Sequence, residues 1–267
     1  MNTKSIPNFV LVFLLLFASC VRYSPYEVII DPEDRDSNRK NIEKLLVNGL
    51  TGDTITFVFV GDTQRFYEES DEMVHLINTL PEVEFVAISG DLTDFGLQYE
   101  FDEMKRTLDQ LNVPYLTAVG NHDLIYNGRL VYEKMFGPLD YSFFYKDTKF
   151  IFLNTNGREF GFNGEVPNIT WLNQQLSDTV SYKNALVIEH VPPNNADFDP
   201  QLNEAYISTL ATWKKTILSM NGHNHDFAVG EPYNDGVTYF NSFSAGKQKF
   251  SLIKVWESGF SYENIEF

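Results

Sequence analysis

Five short apolar segments of the sequence run directly into polar residues that could bind a metal ion. The polar stretches are GDTQ at 61–64, GDLTD at 90–94, GNHD at 120–123, a histidine at 190 and GHNH at 222–225. Four of the chain's five histidines lie in them. Taken singly, each has a structural alternative, such as a Gly-Asp turn or a helix cap at Asn121. Since ligands bind at the carboxyl ends of strands in open α/β sheets, we expect all five loops to converge on one site.

The residue types in these loops indicate a particular metal chemistry. Carboxylate, amide and imidazole ligands without a thiolate suit divalent Mn, Fe or Zn. Two such ions roughly 3.5 to 4 Å apart can acidify a bridging water and stabilise an in-line displacement at phosphorus. In an idealised count, the positive charge of two divalent ions exceeds the negative charge of two carboxylates and one hydroxide by about one. The pocket could therefore attract phosphate even though the chain as a whole has a formal net charge of -17.

The loops lie between segments with alternating strand-like and helix-like patterns. Apolar runs predict buried strands at 54–60, 84–89, 114–119, 149–154, 185–189 and 216–220. Amphipathic spacing predicts helices at 70–80, 99–111 and 204–215. This alternation implies an α/β core. Residues after 236 are rich in β-branched and aromatic side chains and predict closing antiparallel strands without a helix. Periodicity alone also allows a doubly wound single sheet.

The ordered set of loops resembles a known family. The motifs of the calcineurin-like metallophosphoesterase superfamily are Asp-x-His, Gly-Asp, Gly-Asn-His-Asp/Glu, His and Gly-His-x-His, and the loops of this chain resemble them in the same order. Here they extend from 61 to 225, nearly the whole predicted domain. The resemblance implies two packed mixed β-sheets flanked by helices, with a dinuclear metal site at the carboxyl ends of the strands. It also implies that a phosphate ester, diester or monoester, is hydrolysed by in-line attack of a metal-bridging hydroxide.

The resemblance also implies roles for individual residues. One ion would be held by Asp62, Gln64, Asp91 and His225, and the other by Asp91, Asn121, His190 and His223. His122 would bind no metal but would act as general acid toward the leaving oxygen, and Asp94 would hold its imidazole. The alternative is that His122 and Asp94 form a purely structural pair.

Gln64 departs from the family pattern, which most often has histidine at this position. A neutral amide oxygen is a weaker and harder ligand than imidazole. We therefore predict that the first ion binds less tightly, and that Mn or Mg competes better with Zn there. The neighbouring Arg65 is interpreted as an exposed arginine, with contact to substrate phosphate as the alternative.

The first twenty residues predict export. The unbroken apolar run at 9–18 is too short to span a bilayer and is typical of a signal peptide. Ala18 and Ser19 precede Cys20, the only cysteine, and resemble a bacterial lipobox. We expect removal of residues 1–19, lipidation of Cys20, a tether with a short helix at 20–53 and a catalytic domain at 54–267. The alternative is ordinary signal-peptide cleavage that leaves Cys20 as a free thiol.

The amino-acid composition limits the classes of function that the protein can have. Acidic residues outnumber basic ones by 37 to 20, which disfavours an extended nucleic-acid surface. The main hypothesis is a metal-dependent phosphoesterase for a small phosphorylated substrate, anchored as a lipoprotein in a bacterial cell envelope. The loop-like stretches 158–168 and 192–206 could wall its pocket. The competing hypothesis is a lipid-anchored metal- or phosphate-binding protein with lost catalysis. The substrate, native metal pair, oligomeric state and membrane leaflet stay open.

Overall fold

Eleven strands and six α-helices make up the part of the chain that the computed structural model describes, residues 27–267. The strands are β1 (Ile55–Val60), β2 (Phe85–Ile88), β3 (Tyr115–Thr117), β4 (Tyr141–Tyr145), β5 (Thr148–Phe152), β6 (Asn184–Ile188), β7 (Thr216–Asn221), β8 (Ala228–Gly230), β9 (Thr238–Asn241), β10 (Lys249–Trp256) and β11 (Gly259–Glu266). The helices are α1 (Ser37–Asn48), α2 (Tyr67–Ile77), α3 (Gln98–Leu108), α4 (Gly128–Met135), α5 (Ile169–Ser177) and α6 (Asn203–Thr212).

The strands form two mixed sheets. The first has the order β11-β10-β1-β2-β3 and the second the order β4-β5-β6-β7-β9-β8. Strands β1, β2 and β3 run parallel, as do β5, β6, β7 and β9, while the remaining neighbours pair antiparallel. The prediction of two mixed sheets is confirmed, and the single doubly wound sheet is excluded.

The alternation of side chains along β1 explains the layered packing. Phe57 and Phe59 point into the core between the sheets, where Phe57 stacks on Phe85 at 4.9 Å between ring centroids. Val58 and Val60 point to the opposite face and pack with the side chains of α2, α3 and α4. On the outer face of the second sheet, α5 and α6 cover β5 and β6 in the same way. Each parallel strand is therefore buried on both faces, which fits its continuous apolar sequence.

Some elements differ from the sequence prediction. The segment after 236 was expected to form only antiparallel strands, but β9 pairs parallel with β7 and antiparallel with β8. Strands β4 and β8 and helices α4 and α5 were not predicted. Both helices are short, at 8 and 9 residues, and so give the periodic pattern little length in which to stand out.

The segment before β1 includes helix α1, which packs on the first sheet. Asn38 and Asn41 are buried and donate hydrogen bonds to the main-chain oxygens of Thr117 and Tyr115, at 3.3 and 2.8 Å. Within residues 27–267, no helix has both the length and the apolar character needed to cross a bilayer. The predicted signal peptide at 1–19 and the predicted lipid attachment at Cys20 lie outside the described residues.

Candidate metal centre

Loops from the carboxyl ends of parallel strands of both sheets meet at one edge of the molecule. Asp62 follows β1, Asp91 follows β2 and His190 follows β6. All three side chains are buried, and one ligand atom from each lies within 4.8 Å of the others. Three distant parts of the chain thereby form one cluster of potential metal ligands.

The hydrogen bonds of His190 show that this cluster suits a cation. Its Nδ1 lies 2.7 Å from the main-chain oxygen of Ser89, which can only accept, so Nδ1 carries the proton. A neutral ring then has a lone pair at Nε2, yet this atom lies 2.9 Å from Asn121 Oδ1 and 3.2 Å from Asp91 Oδ2. Acceptors therefore face one another, an arrangement that is satisfied by a metal ion or by a second proton on His190. The donor set fits the divalent ions expected from the sequence.

The pKa values of His190 and Asp91 also indicate that the cluster suits a cation. Burial alone would lower the pKa of His190, but the adjacent Asp91 carboxylate, aided by the Asp62 charge, outweighs burial and raises it to about 9. Burial opposes the charge on Asp91, but the two histidines His190 and His122 lower the pKa of this carboxyl below its ordinary value. A metal ion that binds here must displace the second proton, so binding releases protons.

The two histidines of GHNH face different parts of the cluster. Nδ1 of His223 lies 3.0 Å from Asn121 Oδ1 and 3.3 Å from His190 Nε2. Nε2 of His225 lies 3.2 Å from Asp62 Oδ1. Each histidine therefore contacts residues from the ligand set to which the family resemblance assigns it.

Gln64 is buried against Asp91. The amide atom that faces Asp91 lies 3.2 Å from its carboxylate Oδ2 and 2.9 Å from its main-chain oxygen. As an NH2 group, this atom donates two hydrogen bonds to Asp91; as an oxygen, it needs a cation beside these acceptors. The first orientation makes Gln64 a support for Asp91, and the second makes it an oxygen ligand.

His122 lies beside the cluster and is oriented by main-chain groups. The main-chain N–H of His122 donates to Asp91 Oδ1 at 2.9 Å. Its ring Nδ1 lies 2.8 Å from the main-chain oxygen of Asp94. The Asp94 carboxylate instead accepts hydrogen bonds from Arg65, with Nε at 2.9 Å. The contact of Asp94 with the imidazole thus runs through its carbonyl and not through its carboxylate. Because Nδ1 donates to this carbonyl, Nε2 has a lone pair in the neutral ring and carries a transferable proton only in the doubly protonated ring.

Asp123 joins the GDLTD and GNHD loops. Its Oδ1 accepts from the main-chain N–H groups of Leu92 and Thr93 at 2.9 and 3.0 Å, and its Oδ2 accepts from Gly120 at 2.9 Å. Gly120 leaves no room for a side chain, since a Cβ there would lie 2.1 Å from the main-chain nitrogen of Asp91. This close approach of the two loops brings residues from β2 and β3 into one cluster.

Four of the residues expected to bind metal adopt left-handed backbone conformations. Their φ angles are 52° for Asp62, 55° for Asp91, 70° for His223 and 59° for His225. None is a glycine, and each such conformation costs on the order of 1 to 2 kcal/mol. The surrounding fold therefore holds these four residues in unfavourable backbone conformations.

The match to known proteins extends over both sheets. A family model described as calcineurin-like phosphoesterase matches residues 55–227, which include all five loops. The chain is a calcineurin-like phosphoesterase. The family and the phosphoesterase class predicted from the motifs are therefore confirmed.

Two curated relatives of this phosphoesterase are named as diesterases. A probable glycerophosphodiester phosphodiesterase GpdQ of Arcobacter nitrofigilis is 28% identical over 133 residues, which are 45% of this chain and 46% of the relative. The glycerophosphodiester phosphodiesterase GpdQ of Enterobacter lignolyticus is 25% identical over 173 residues, 59% of this chain and 62% of the relative. The chain thus covers about half to three fifths of the length of these relatives.

A solved structure shows the same fold. A dimetal phosphatase from Danio rerio superposes with a TM-score of 0.59, covering 78% of this chain and 98% of that chain. The two sequences are 14% identical, so the likeness concerns the fold alone.

All nine predicted metal and catalytic residues lie in or beside the cluster. They are Asp62, Gln64, Asp91, Asp94, Asn121, His122, His190, His223 and His225. Sequence reasoning missed Asp197, whose Oδ2 lies 3.5 Å from His223 Nε2. This residue belongs to a loop that was expected only to wall the pocket, and no motif marks it.

Proposed function

We propose that this calcineurin-like phosphoesterase uses two divalent ions, Mn, Fe or Zn, to hydrolyse a small phosphate ester. The observation that carries the proposal is the convergence of acceptor atoms around His190 Nε2, at 2.9 Å from Asn121 and 3.2 Å from Asp91. When bound, the ions would acidify a water and stabilise negative charge on the phosphoryl group for an in-line displacement.

The contacts support a division of the ligands into two sets that share Asp91. The first set is Asp62, Gln64, Asp91 and His225, and the second is Asp91, Asn121, His190 and His223. Asp91 Oδ2 faces both Gln64 and His190, one residue from each set. A carboxylate in this position fits the bridging role.

His122 is assigned the role of general acid. In the doubly protonated ring, Nδ1 donates to the Asp94 carbonyl, and Nε2 holds the proton that the leaving oxygen takes up, which leaves a neutral imidazole. A positioned acid of this kind accelerates a reaction by about 10² to 10⁴-fold.

The substrate is proposed to be a phosphodiester. The two GpdQ relatives described above are named as glycerophosphodiester phosphodiesterases, which supports a diester over a monoester. Cys20 after a signal-like segment supports a lipoprotein attached to a bacterial envelope membrane, a proposal that incorporation of labelled fatty acid tests.

The test uses the protein purified without chelator, supplied with Mn²⁺, on bis-p-nitrophenyl phosphate and on p-nitrophenyl phosphate. We expect turnover that favours the diester and that disappears in Asp91→Asn. His122→Ala should lower kcat by about 10² to 10⁴-fold with an unchanged metal content. His75→Ala removes an exposed histidine on α2 and should have no effect.

Two results would overturn the proposal. Full activity of His122→Ala would remove its role as general acid. Binding of two ions without turnover of either ester, or of glycerophosphodiesters, would favour the alternative of a metal- or phosphate-binding protein that has lost catalysis.

A further inference from the structure

His223 contacts the cluster through one ring nitrogen and an acidic residue through the other. Nδ1 lies 3.0 Å from Asn121 Oδ1 and 3.3 Å from His190 Nε2, while Nε2 lies 3.5 Å from Asp197 Oδ2. The His223 and Asp197 side chains are 17% and 8% exposed, so water screens their interaction little. The two nitrogens therefore have separate environments, one lined by potential metal ligands and one by a buried carboxylate.

Asp197 is itself held in place from several sides. Its Oδ1 pairs with the guanidinium of Arg158, which leaves Oδ2 for His223. Its main-chain oxygen accepts from the Arg158 N–H at 3.0 Å, and its main-chain N–H donates to Asn195 Oδ1 at 2.9 Å. The carboxylate is thus fixed before any contribution from His223.

The loops that carry Arg158 and Asp197 are packed tightly together. A Cβ on Gly157 would lie 2.5 Å from the main-chain nitrogen of Asp199, and Asp199 Oδ2 accepts from the Gly164 N–H at 2.8 Å. The loop after β5 and the loop after β6 therefore form one unit beside His223.

We propose that Asp197 is a positioning residue that holds His223 as the Nε2–H tautomer and so directs the Nδ1 lone pair toward the second metal ion. At 3.5 Å this contact is longer than a normal hydrogen bond, but the negative charge of a carboxylate, which can only accept, favours the tautomer whose proton lies on the nitrogen facing it. Outer partners of this kind orient ligand histidines, and their loss typically weakens metal binding 10 to 100-fold. The inference rests on the proposed function only in that His223 binds the second ion.

The tautomer is tested without any substitution. The full chain is labelled with ¹⁵N-histidine, and the long-range ¹H–¹⁵N correlations of the five histidines are recorded for metal-free and Zn²⁺-loaded protein. We expect His223 to carry its proton on Nε2 in both. The competing tautomer donates from Nδ1 to Asn121 Oδ1, and its observation in the metal-free protein would overturn the proposal.

Three variants test the effect on metal binding. Asp197→Ala should raise the Kd of the Zn²⁺ ion at the second site, which includes His223, by about 10 to 100-fold, measured by calorimetric titration. Asp199→Ala is the matched control, because it removes a buried carboxylate of the same loop whose hydrogen bonds within residues 27–267 come from the main-chain N–H groups of Gly164 and Gln201 and not from a histidine. It should leave both Zn²⁺ affinities within about threefold of wild type, and Asp197→Asn, which retains an acceptor oxygen, should recover part of the loss.

The results distinguish a failure of the positioning role of Asp197 from a failure of the proposed hydrolase function. Equal losses in Asp197→Ala and Asp199→Ala, or no loss in either, would contradict a positioning role, and if Asp197→Ala fails to fold the tautomer of the wild type decides. Two bound ions and the Nε2–H tautomer without ester turnover would leave the inference standing while the proposed function fails.

Discussion

Two histidines of the site contact acidic residues through different groups. His122 lies 2.8 Å from the main-chain oxygen of Asp94, whereas His223 faces the side chain of Asp197 at 3.5 Å. A main-chain carbonyl remains when the side chain is substituted, whereas a side-chain carboxylate is lost. The two acidic residues should therefore respond differently to the loss of their charge.

Asp94→Asn should have little effect on catalysis. The substitution keeps the carbonyl that holds His122 and removes only the pairing with Arg65, whose side chain is 59% exposed. Exposed pairs of this kind contribute at most about 1 kcal/mol, so kcat for the diester should fall less than about fivefold. A loss as large as that of His122→Ala would show that the Asp94 carboxylate acts on the imidazole.

Gln64→His should strengthen the first site. Imidazole is a better ligand for Zn²⁺ than an amide oxygen, and the buried position of Gln64 beside Asp91 places it within the cluster. We expect the affinity for Zn²⁺ to rise by about tenfold and competition by Mn²⁺ to weaken, as measured by calorimetric titration. Gln174→His, on the exposed face of α5, controls for an added histidine. Unchanged affinity for both metals would contradict the prediction.

Asp140 gives the protein a dependence on pH that is separate from catalysis. Burial raises the pKa of Asp140 to about 6, against the effect of the Asn154 N–H that it accepts at 2.7 Å. A raised pKa in the folded state adds stability at pH values below the unfolded pKa and loses it as pH rises through about 6. Asp140→Asn stays neutral and keeps the acceptor oxygen.

Chemical unfolding at two pH values tests this effect. At pH 8 the Asp140→Asn variant should be more stable than wild type by about 3 kcal/mol, since each unit of pKa difference corresponds to about 1.4 kcal/mol, and near pH 4 the difference should be small. A difference of the same size at both pH values would mean that the charge of Asp140 is not its cause.

Among the elements, the long apolar strands were predictable and the short polar or irregular ones were not. Strand β1 was expected at 54–60 and is observed at Ile55–Val60, because six consecutive buried side chains leave a strong signal. Strand β4 has one exposed and two half-buried residues, and it lacks a comparable run. The parallel pairing of β9 with β7 depends on contacts between segments separated in the chain, which local periodicity does not report.

The same distinction applies to the site. Residues that follow strands directly, such as Asp62 and Asp91, are placed by the strands themselves and were found from the sequence. Asp197 lies within a long loop between β6 and α6, so its position depends on how that loop packs against the loop of Gly157. Likewise, nothing in the sequence shows that Asp94 contacts His122 through its carbonyl.

Packing between the sheets should dominate stability. The ring of Phe150 on β5 is fully buried and lies 5.3 Å from Phe85 and 5.8 Å from Phe57 in edge-on contacts. Phe150→Ala should therefore lower the free energy of unfolding by about 3 to 5 kcal/mol. Phe144→Ala, on the adjacent strand with 41% exposure, should cost clearly less in the same denaturant titration. Similar losses would mean that the inter-sheet aromatic contacts contribute little.

At the scale of the whole molecule, metal ions should stabilise the fold. Buried carboxylates and four left-handed residues make the cluster unfavourable on its own, and a ligand that binds only the native state stabilises it in proportion to the logarithm of its concentration over Kd. Zn²⁺ at about 100 times its Kd should add about 2.7 kcal/mol, and EDTA should lower Tm accordingly. Asp91→Asn should respond little to either treatment. A Tm of the wild type that is indifferent to EDTA would contradict the prediction.

The net charge of -17 has little bearing on this local effect. Screening limits the reach of exposed charges to about 10 Å at 0.1 M salt, while the buried cluster responds mainly to its own neighbours. An acidic protein can thus contain a pocket for an anionic substrate once cations are bound, although an extended polyanion would meet the repulsive surface.

The position of β1 in its sheet affects when that sheet can be completed during synthesis. Its two neighbours are β2 and β10, and Ile55 lies opposite Val255, 200 residues later in the chain. When a ribosome completes His225, all the metal-binding loops exist, but β9 and β10 have not been synthesised. At about 5 to 20 residues per second, the missing strands follow only seconds later. During that interval the nascent chain carries Asp62, Asp91 and the histidines without the completed sheets that fix their geometry. The geometry that would let the site select among ions is therefore complete only after the strands that follow His225 have joined their sheets.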